Sequence, residues 1–320
     1  MMMNLLEERK VFEQECEIFS AELQHFGGVP GWDVYNPSIP FQWNGKSYIF
    51  GRVERRNEWG NSTARLFEMT SPNHWQLVPQ AMIHPLEDPF FTRIKGELVL
   101  GGVHVQYSRG QLDTYRTYFL RGKSIEDLRY FTTGPDFMKD IRLIELPDGR
   151  IGIFSRPRDA AVLAQYGCES QIGFTSIDSL DELDAAGIAH APYIPGFFEP
   201  GEWGGCNQAV NLRSGLIGII GHMSYNYGQP IDGHEQQAYL NVAWVFDPVK
   251  HELLCRKIIG TRNCYPASPA KEPWLTDVAF TSGIVPCGNG KVALYSGLGD
   301  AAVGKIVIPD PFAQYGGLDK

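Results

Sequence analysis

Apolar and polar residues mix at roughly helical spacing only near the start of the chain, where Leu5, Val11, Phe12, Ile18, Phe19 and Leu23 punctuate a charged stretch. The lead-in segment 1–24 therefore reads as a helix or a strand. Later, "SLDELDAAG" at 179–187 is the one other short helix the pattern predicts, with Ser179 as N-cap and Gly187 as stop. The rest consists of short β-branched and aromatic runs punctuated by Gly, Pro, Asn and Asp. That pattern predicts an all-β sandwich, barrel or propeller.

Internal repetition decides among these. A polar residue, an apolar strand, a turn and a second strand recur at 35–54, 87–105, 139–158, 206–225 and 276–300. The turns fall at Asn44-Gly45, Lys95-Gly96, Pro147-Asp148-Gly149, Ser214-Gly215 and Gly288-Asn289-Gly290, all suited to hairpins. The leading polar residues are Asn36, Asp88, Asp140, Asn207 and Asp277, spaced by 52, 52, 67 and 70 residues. Runs such as "STARLFEMT" and "YLNVAWVFDP" between them supply outer strands. The expectation is a five-bladed β-propeller with mostly four-stranded blades, one domain over 1–320.

A hairpin returns antiparallel, so both ends of an innermost pair reach one mouth of the central channel. The leading polar residues would meet there with the second-strand ends Glu54-Arg55, His104, Arg156, Arg158, His222, Tyr225 and Asp300. Glu87 adjoins Asp88, and Pro89 fixes the exit from the pair. Each group has a plainer role as well: an Asp before a strand also ties down a turn. Arg142, Arg156 and Arg158 would bind an anion or neutralise the acids opposite them.

Composition narrows the chemistry. Hydrophobic residues make up 43% and charged residues 20%, with a formal net charge of −9, so nucleic acid is not the expected partner. No apolar run is long enough to span a membrane and no secretory signal opens the chain, so a cytoplasmic protein is expected. Six cysteines are scattered without a CxxC pair, so no metal centre or other cofactor is expected. Several carboxylates around one cavity suit glycosidic bond cleavage, in which an acid protonates the leaving oxygen. Trp32, Tyr35, Trp59, Trp203, Tyr225, Tyr227 and Trp274 would offer flat faces to sugar rings.

The motifs "VYNPSIPF", "EDPF", "GGVHV", "MKDIRLIEL", "FSRPR", "EWGGCNQ", "GHMSY", "LTDVAF" and "LYSGLGDA" run in order along nearly the whole chain. In them the sequence resembles an uncharacterised family of predicted five-bladed propeller glycosidases. That family in turn resembles the β-mannoside phosphorylases and mannosidases of glycoside hydrolase family 130, and more distantly the arabinanases and fructosidases. The resemblance implies a general acid in Glu87-Asp88-Pro89, where Phe90 replaces the arginine of the mannoside enzymes. It matches Lys139-Asp140, the basic strand end Arg156 and Arg158, and the terminal aspartate motif at Asp300. Asn36 stands where the arabinanase-like enzymes have a catalytic base.

These readings predict a glycosidase-like enzyme acting on a short oligosaccharide, such as a β-mannoside. Asp88 would be the general acid, while Asp140 and Asp277 would orient the sugar and tune acidity. Arg156, Arg158 and His222 would hold water or inorganic phosphate. Asn36, Glu87, His104, Arg142, Asn207 and Asp300 would complete the substrate site. Hydrolysis, with Glu202 or Asp300 as the second carboxylate, is expected ahead of phosphorolysis because Phe90 removes a cation. A sugar-binding propeller without catalysis is the reading from another class, suited to the amides Asn36 and Asn207.

Overall fold

The computed structural model describes residues 5–58 and 60–318; Trp59, named above as a sugar platform, lies outside them, as do the first four residues of the lead-in segment. The lead-in segment holds both candidate elements in succession: a helix, Leu5–Glu15, and a strand, Ser20–Gly27.

Among the described residues the strands fall into five antiparallel groups. In the first, Asp33–Tyr35 and Phe41–Trp43 pair with Lys46–Glu54, followed by Thr63–Ser71 and His74–Leu77. The second runs Glu87–Ile94, Glu97–Ser108, Gln111–Gly122 and Arg129–Thr133. The third has three strands, Arg142–Glu145, Ile151–Ser155 and Gly173–Ile177. The fourth runs Glu202–Asn211, Ile217–Ile231, His234–Asp247 and Glu252–Gly260. The fifth comprises Asp277–Gly288, Lys291–Leu298 and Ala302–Pro309, completed by Ser20–Gly27 from the other end of the chain. Short parallel pairings, Ala238 with Asp277 and His25 with His74, join the fourth, fifth and first groups edge to edge.

The turn residues explain the hairpins. Asn44 and Gly45 have φ of 47° and 77°, and Lys95 and Gly96 of 50° and 79°, the conformation that a two-residue hairpin turn needs. Strand faces then stack group on group. Phe41, Phe50 and Leu66 meet Phe91, Leu98 and Leu100; Phe90 and Val99 meet Ile141 and Ile153; Phe154 and Phe174 meet Trp244 and Phe246. Leu212, Ile220 and Val245 of the fourth group pack on Leu294 and Ile306 of the fifth. Burial of these faces is the main favourable term of the fold. Stacked aromatic pairs such as Phe41 and Phe91, with centroids 3.7 Å apart, add about 0.5–1.5 kcal/mol each.

Two local expectations are corrected. Ser179 caps only the 3-10 turn Leu180–Glu182; a separate helix, Ala185–Ala189, starts at Asp184 and has Gly187 inside it. A further helix, Ala160–Tyr166, is capped by Asp159, which accepts from two backbone amides, and ends at Gly167 with φ 70°. No helix among the described residues is long and apolar enough to cross a membrane.

Candidate active site

Three leading polar residues, Asn36, Asp88 and Asp140, have left-handed backbone with φ of 42°, 46° and 59°, and Asp300 has φ 53°. Short polar side chains tolerate this region better than others, because they bond locally to the backbone. All four line one cavity of about 90 Å3. Arg52, Lys139, Arg156, Arg158 and His222 complete its charged and polar side, with Gln237 and Tyr239 beside them. Leu275, Val278 and Phe280 form an apolar wall. A cavity with one ionic and one apolar side suits a sugar, whose ring offers hydroxyl edges and C–H faces.

Asp88 is tethered on one oxygen. Its Oδ1 accepts from Asn36 Nδ2 at 2.9 Å and Arg52 Nη1 at 3.0 Å, which leaves Oδ2 as the atom a ligand can address. Arg52 also pairs with Glu54 at 3.3 Å and Glu87 at 3.2 Å. Buried Lys271 sits 2.9 Å from Glu54, and Tyr35 donates its hydroxyl to the same carboxylate. Burial pushes Glu54 up, but Arg52, Tyr35 and Lys271 outweigh it and hold the group below the ordinary carboxylate range. Glu87 goes the other way, raised by burial and by the charge of Asp88 against the pull of Arg52. Burial, with Asp88 adding to it, also raises Asp300. Crowding thus spreads the acidities of these carboxyls, lowering Glu54 and raising Glu87 and Asp300.

The Asp140 side is different. Burial opposes ionisation there, yet Arg156, at 3.1 Å, with His222, Lys139 and Arg142, brings Asp140 down to about 2. Burial, with Arg156 and Lys139, lowers His222 to about 3, so it is neutral near pH 7. Its Nδ1 lies 2.8 Å from Asn207 Oδ1, an acceptor, so Nδ1 carries the hydrogen and Nε2 has the free lone pair. Arg158, at the rim, pairs with Glu169. Among the described residues Lys139 makes no hydrogen bond or ion pair and is the uncommitted cation of the cavity.

Several expected residues lie elsewhere. Asp277 is held by Arg9 of the first helix, with Nη2 to Oδ1 at 2.9 Å, and does not line the cavity. Glu202 accepts from the Glu199 amide at 2.9 Å and lies 4.0 Å from Arg256, also off the cavity. His104 bonds the Pro85 carbonyl and stacks near Tyr118. Glu87 stands behind Asp88 on Arg52, and Arg142 and Asn207 line a second, smaller cavity.

Counting from the turn glycines accounts for these shifts. The residue seven positions after each is Arg52, Val103, Arg156, His222 or Gly297. That register selects Arg52, which the sequence reading missed, and puts His104 on the opposite face of its strand. Asn36, Asp88, Asp140 and Asn207 stand eight or nine residues before their turn glycine, whereas Asp277 stands thirteen before Gly290. The residue eight before Gly290 is Ser282. It falls in a strand irregularity between Thr281 and Gly283, as Asn207 does between Cys206 and Gln208. Lys139 has no role in the motif match that contains it, and Gln237 and Tyr239 come from a third strand outside the hairpin scheme.

The family described as "Protein of unknown function (DUF1861)" matches residues 10–314. The chain belongs to this family. Among solved structures it is similar to MPT-4, a mannose phosphorylase from Leishmania mexicana in complex with phosphate ion. The two are 42% identical over 99% of this chain and 96% of that one, with a TM-score of 0.92. It is equally similar to MPT-1, a GDP-Man-dependent mannosyltransferase from the same organism, at 42% identity over 99% and 97% of the two chains and a TM-score of 0.91. A β-1,2-mannobiose phosphorylase from Listeria innocua shares the fold, with 16% identity over 88% and 91% of the chains and a TM-score of 0.61. No curated protein sequence matches.

Proposed function

We propose that this chain is a five-bladed propeller enzyme that transfers a mannosyl group between a short mannoside and inorganic phosphate. The observation that carries the reading is the placement of Asp88 in the same cavity as Lys139, Arg156, Arg158 and neutral His222: a carboxyl group beside an anion site. In the cleavage direction the bond from the sugar's anomeric carbon to the leaving oxygen breaks. A bond from that carbon to a phosphate oxygen forms, and the leaving oxygen takes up a proton. Asp88 delivers that proton through Oδ2 and takes one back from the phosphate. Lys139 and Arg156 hold the phosphate, and His222 Nε2 accepts from its hydroxyl. Leu275, Val278 and Phe280 pack against the sugar's apolar face.

The expectation of hydrolysis from Phe90 is set aside. Arg142 lies over the Phe90 ring at 4.5 Å, and Arg52, Lys139 and Arg156 keep the cavity basic without the missing arginine. Glu202 does not line the cavity, so one of the two carboxylates expected to serve hydrolysis is missing from it. The relatives named as a mannose phosphorylase and a mannosyltransferase support group transfer equally.

The test incubates the protein with mannose 1-phosphate and mannose, with mannobiose and phosphate, with GDP-mannose and mannose, and with mannobiose in phosphate-free buffer. Phosphate release in the first and phosphate-dependent cleavage in the second, both abolished by Asp88→Asn, are expected. Turnover only with GDP-mannose, or equal turnover without phosphate, overturns the reading.

A further inference from the structure

A second cavity, of about 70 Å3, adjoins the first through the hydrogen bond between Asn207 and His222. Arg142, Asn207 and Ser282 line its polar side, and Phe90, Phe91 and Leu143 its apolar side; no carboxylate lines it among the described residues. Its volume compares with roughly 10–15 Å3 needed for one water, so it has room for a small ion with some hydration.

Arg142 has no carboxylate in close contact. Asp140, Arg142 and Arg156 are exposed by only 2%, 6% and 2%, which puts two guanidinium groups against one carboxylate. Asp140 leans to Arg156, at 3.1 Å, and stands 3.9 Å from Arg142. Arg142 otherwise donates only to neutral carbonyls, of Asn207 at 2.7 Å and Ile141 at 3.0 Å. Burial accordingly lowers its pKa, with Asp140 only partly restoring it. Asp88, the next carboxylate, is committed to Arg52 and Asn36.

Two further donors point to the same need. Asn207 Oδ1 is fixed by His222, so Nδ2 is turned away from the ring, and it has no hydrogen-bond partner among the described residues. Ser282 Oγ has none either, and both side chains are more than nine-tenths buried. Water would satisfy the donors but not the charge of Arg142, and an unpaired buried charge is costly. One guanidinium without a close carboxylate, between apolar walls, matches one negative charge, because the desolvation cost of a dianion is several times larger.

We propose that this cavity binds a small monovalent anion of the chloride class, held by Arg142, Asn207 Nδ2 and Ser282 Oγ. The anion neutralises Arg142 and fixes the Asn207 amide, and through it the hydrogen-bearing nitrogen of His222. The proposal does not rest on the transfer reaction, though the anion steadies the His222 that this reaction uses to hold phosphate.

The test uses the full chain in phosphate-free buffer at constant ionic strength, with sodium gluconate exchanged for sodium chloride or bromide. The expected result is a saturable rise in Tm of roughly 2–4 °C with either halide. Ser282→Ala weakens that response and Lys139→Ala keeps it, because Lys139 belongs to the other cavity. If Ser282→Ala does not fold, anomalous scattering from bromide in wild-type crystals decides, with a peak expected within hydrogen-bonding reach of Arg142 and Asn207. Equal Tm in gluconate and chloride, a halide response lost in Lys139→Ala but kept in Ser282→Ala, or no bromide in this cavity overturns the proposal.

Discussion

Asn36 donates its Nδ2 to Asp88 Oδ1 at 2.9 Å, across the first two strand groups, while both residues hold left-handed backbone. The contact therefore couples two costs. Asn36→Ala loses a hydrogen bond and puts a residue of low left-handed propensity at φ 42°. Asn36→Gly loses only the bond. Chemical denaturation should find the glycine variant more stable than the alanine variant by about 1 kcal/mol, with both losing activity as Asp88 loosens. Equal stability would remove the backbone part of this account.

Gly297 bears on the same residue. A Cβ there would stand 1.8 Å from Asn36 Oδ1 and 2.7 Å from its backbone nitrogen. Gly297→Ala should displace Asn36, destabilise the fold by about 1–3 kcal/mol and reduce kcat/KM far more than a substitution of similar stability cost elsewhere. Wild-type kinetics in this variant would show that Asn36 does not position Asp88.

His222 gives a pH signature. Its folded pKa of about 3 lies below the unfolded value of roughly 6.5. The unfolded chain therefore binds more protons between those limits. The stability contribution is complete above the unfolded pKa and is lost as pH falls from about 6.5 towards 3. Urea titrations of wild type and His222→Gln should differ in slope by up to roughly 1.4 kcal/mol per pH unit near pH 4–6. Parallel curves would mean that the imidazole is not buried neutral.

Asp277 and Lys139 separate a structural ion pair from a ligand contact. Asp277→Asn should lower stability by roughly 1–3 kcal/mol through the weakened bond to Arg9 and leave kcat unchanged. Lys139→Ala should raise the KM for phosphate by at least about tenfold with little change in Tm. The reverse pattern, measured by steady-state kinetics and thermal melts, would restore Asp277 to the site.

The strand groups were legible because turn chemistry and alternation are local: every hairpin turn glycine named from the sequence has positive φ. Asp88, Asp140 and Asp300 could be proposed because each stands at a strand end whose register the turn fixes. Asp277 was misjudged because an Asp before an apolar run looks alike at any distance from its turn, and only the count to Gly290 separates the cases. The helix after Asp159 was hidden although its cap and its Gly167 stop stand in the sequence, because seven residues carry too little periodicity. Lys271 has no local signal at all: its ion pair with Glu54 joins residues 217 apart.

The strand Ser20–Gly27 finds its antiparallel partner in Ala302–Pro309, almost three hundred residues later. During synthesis that edge leaves the ribosome long before its mate exists. Its short parallel match with His74–Gln76 is the one strand contact available to it early. Final locking of the molecule thus waits for Ala302–Pro309, so any stall or truncation before that strand leaves Ser20–Gly27 as an open, adhesive edge.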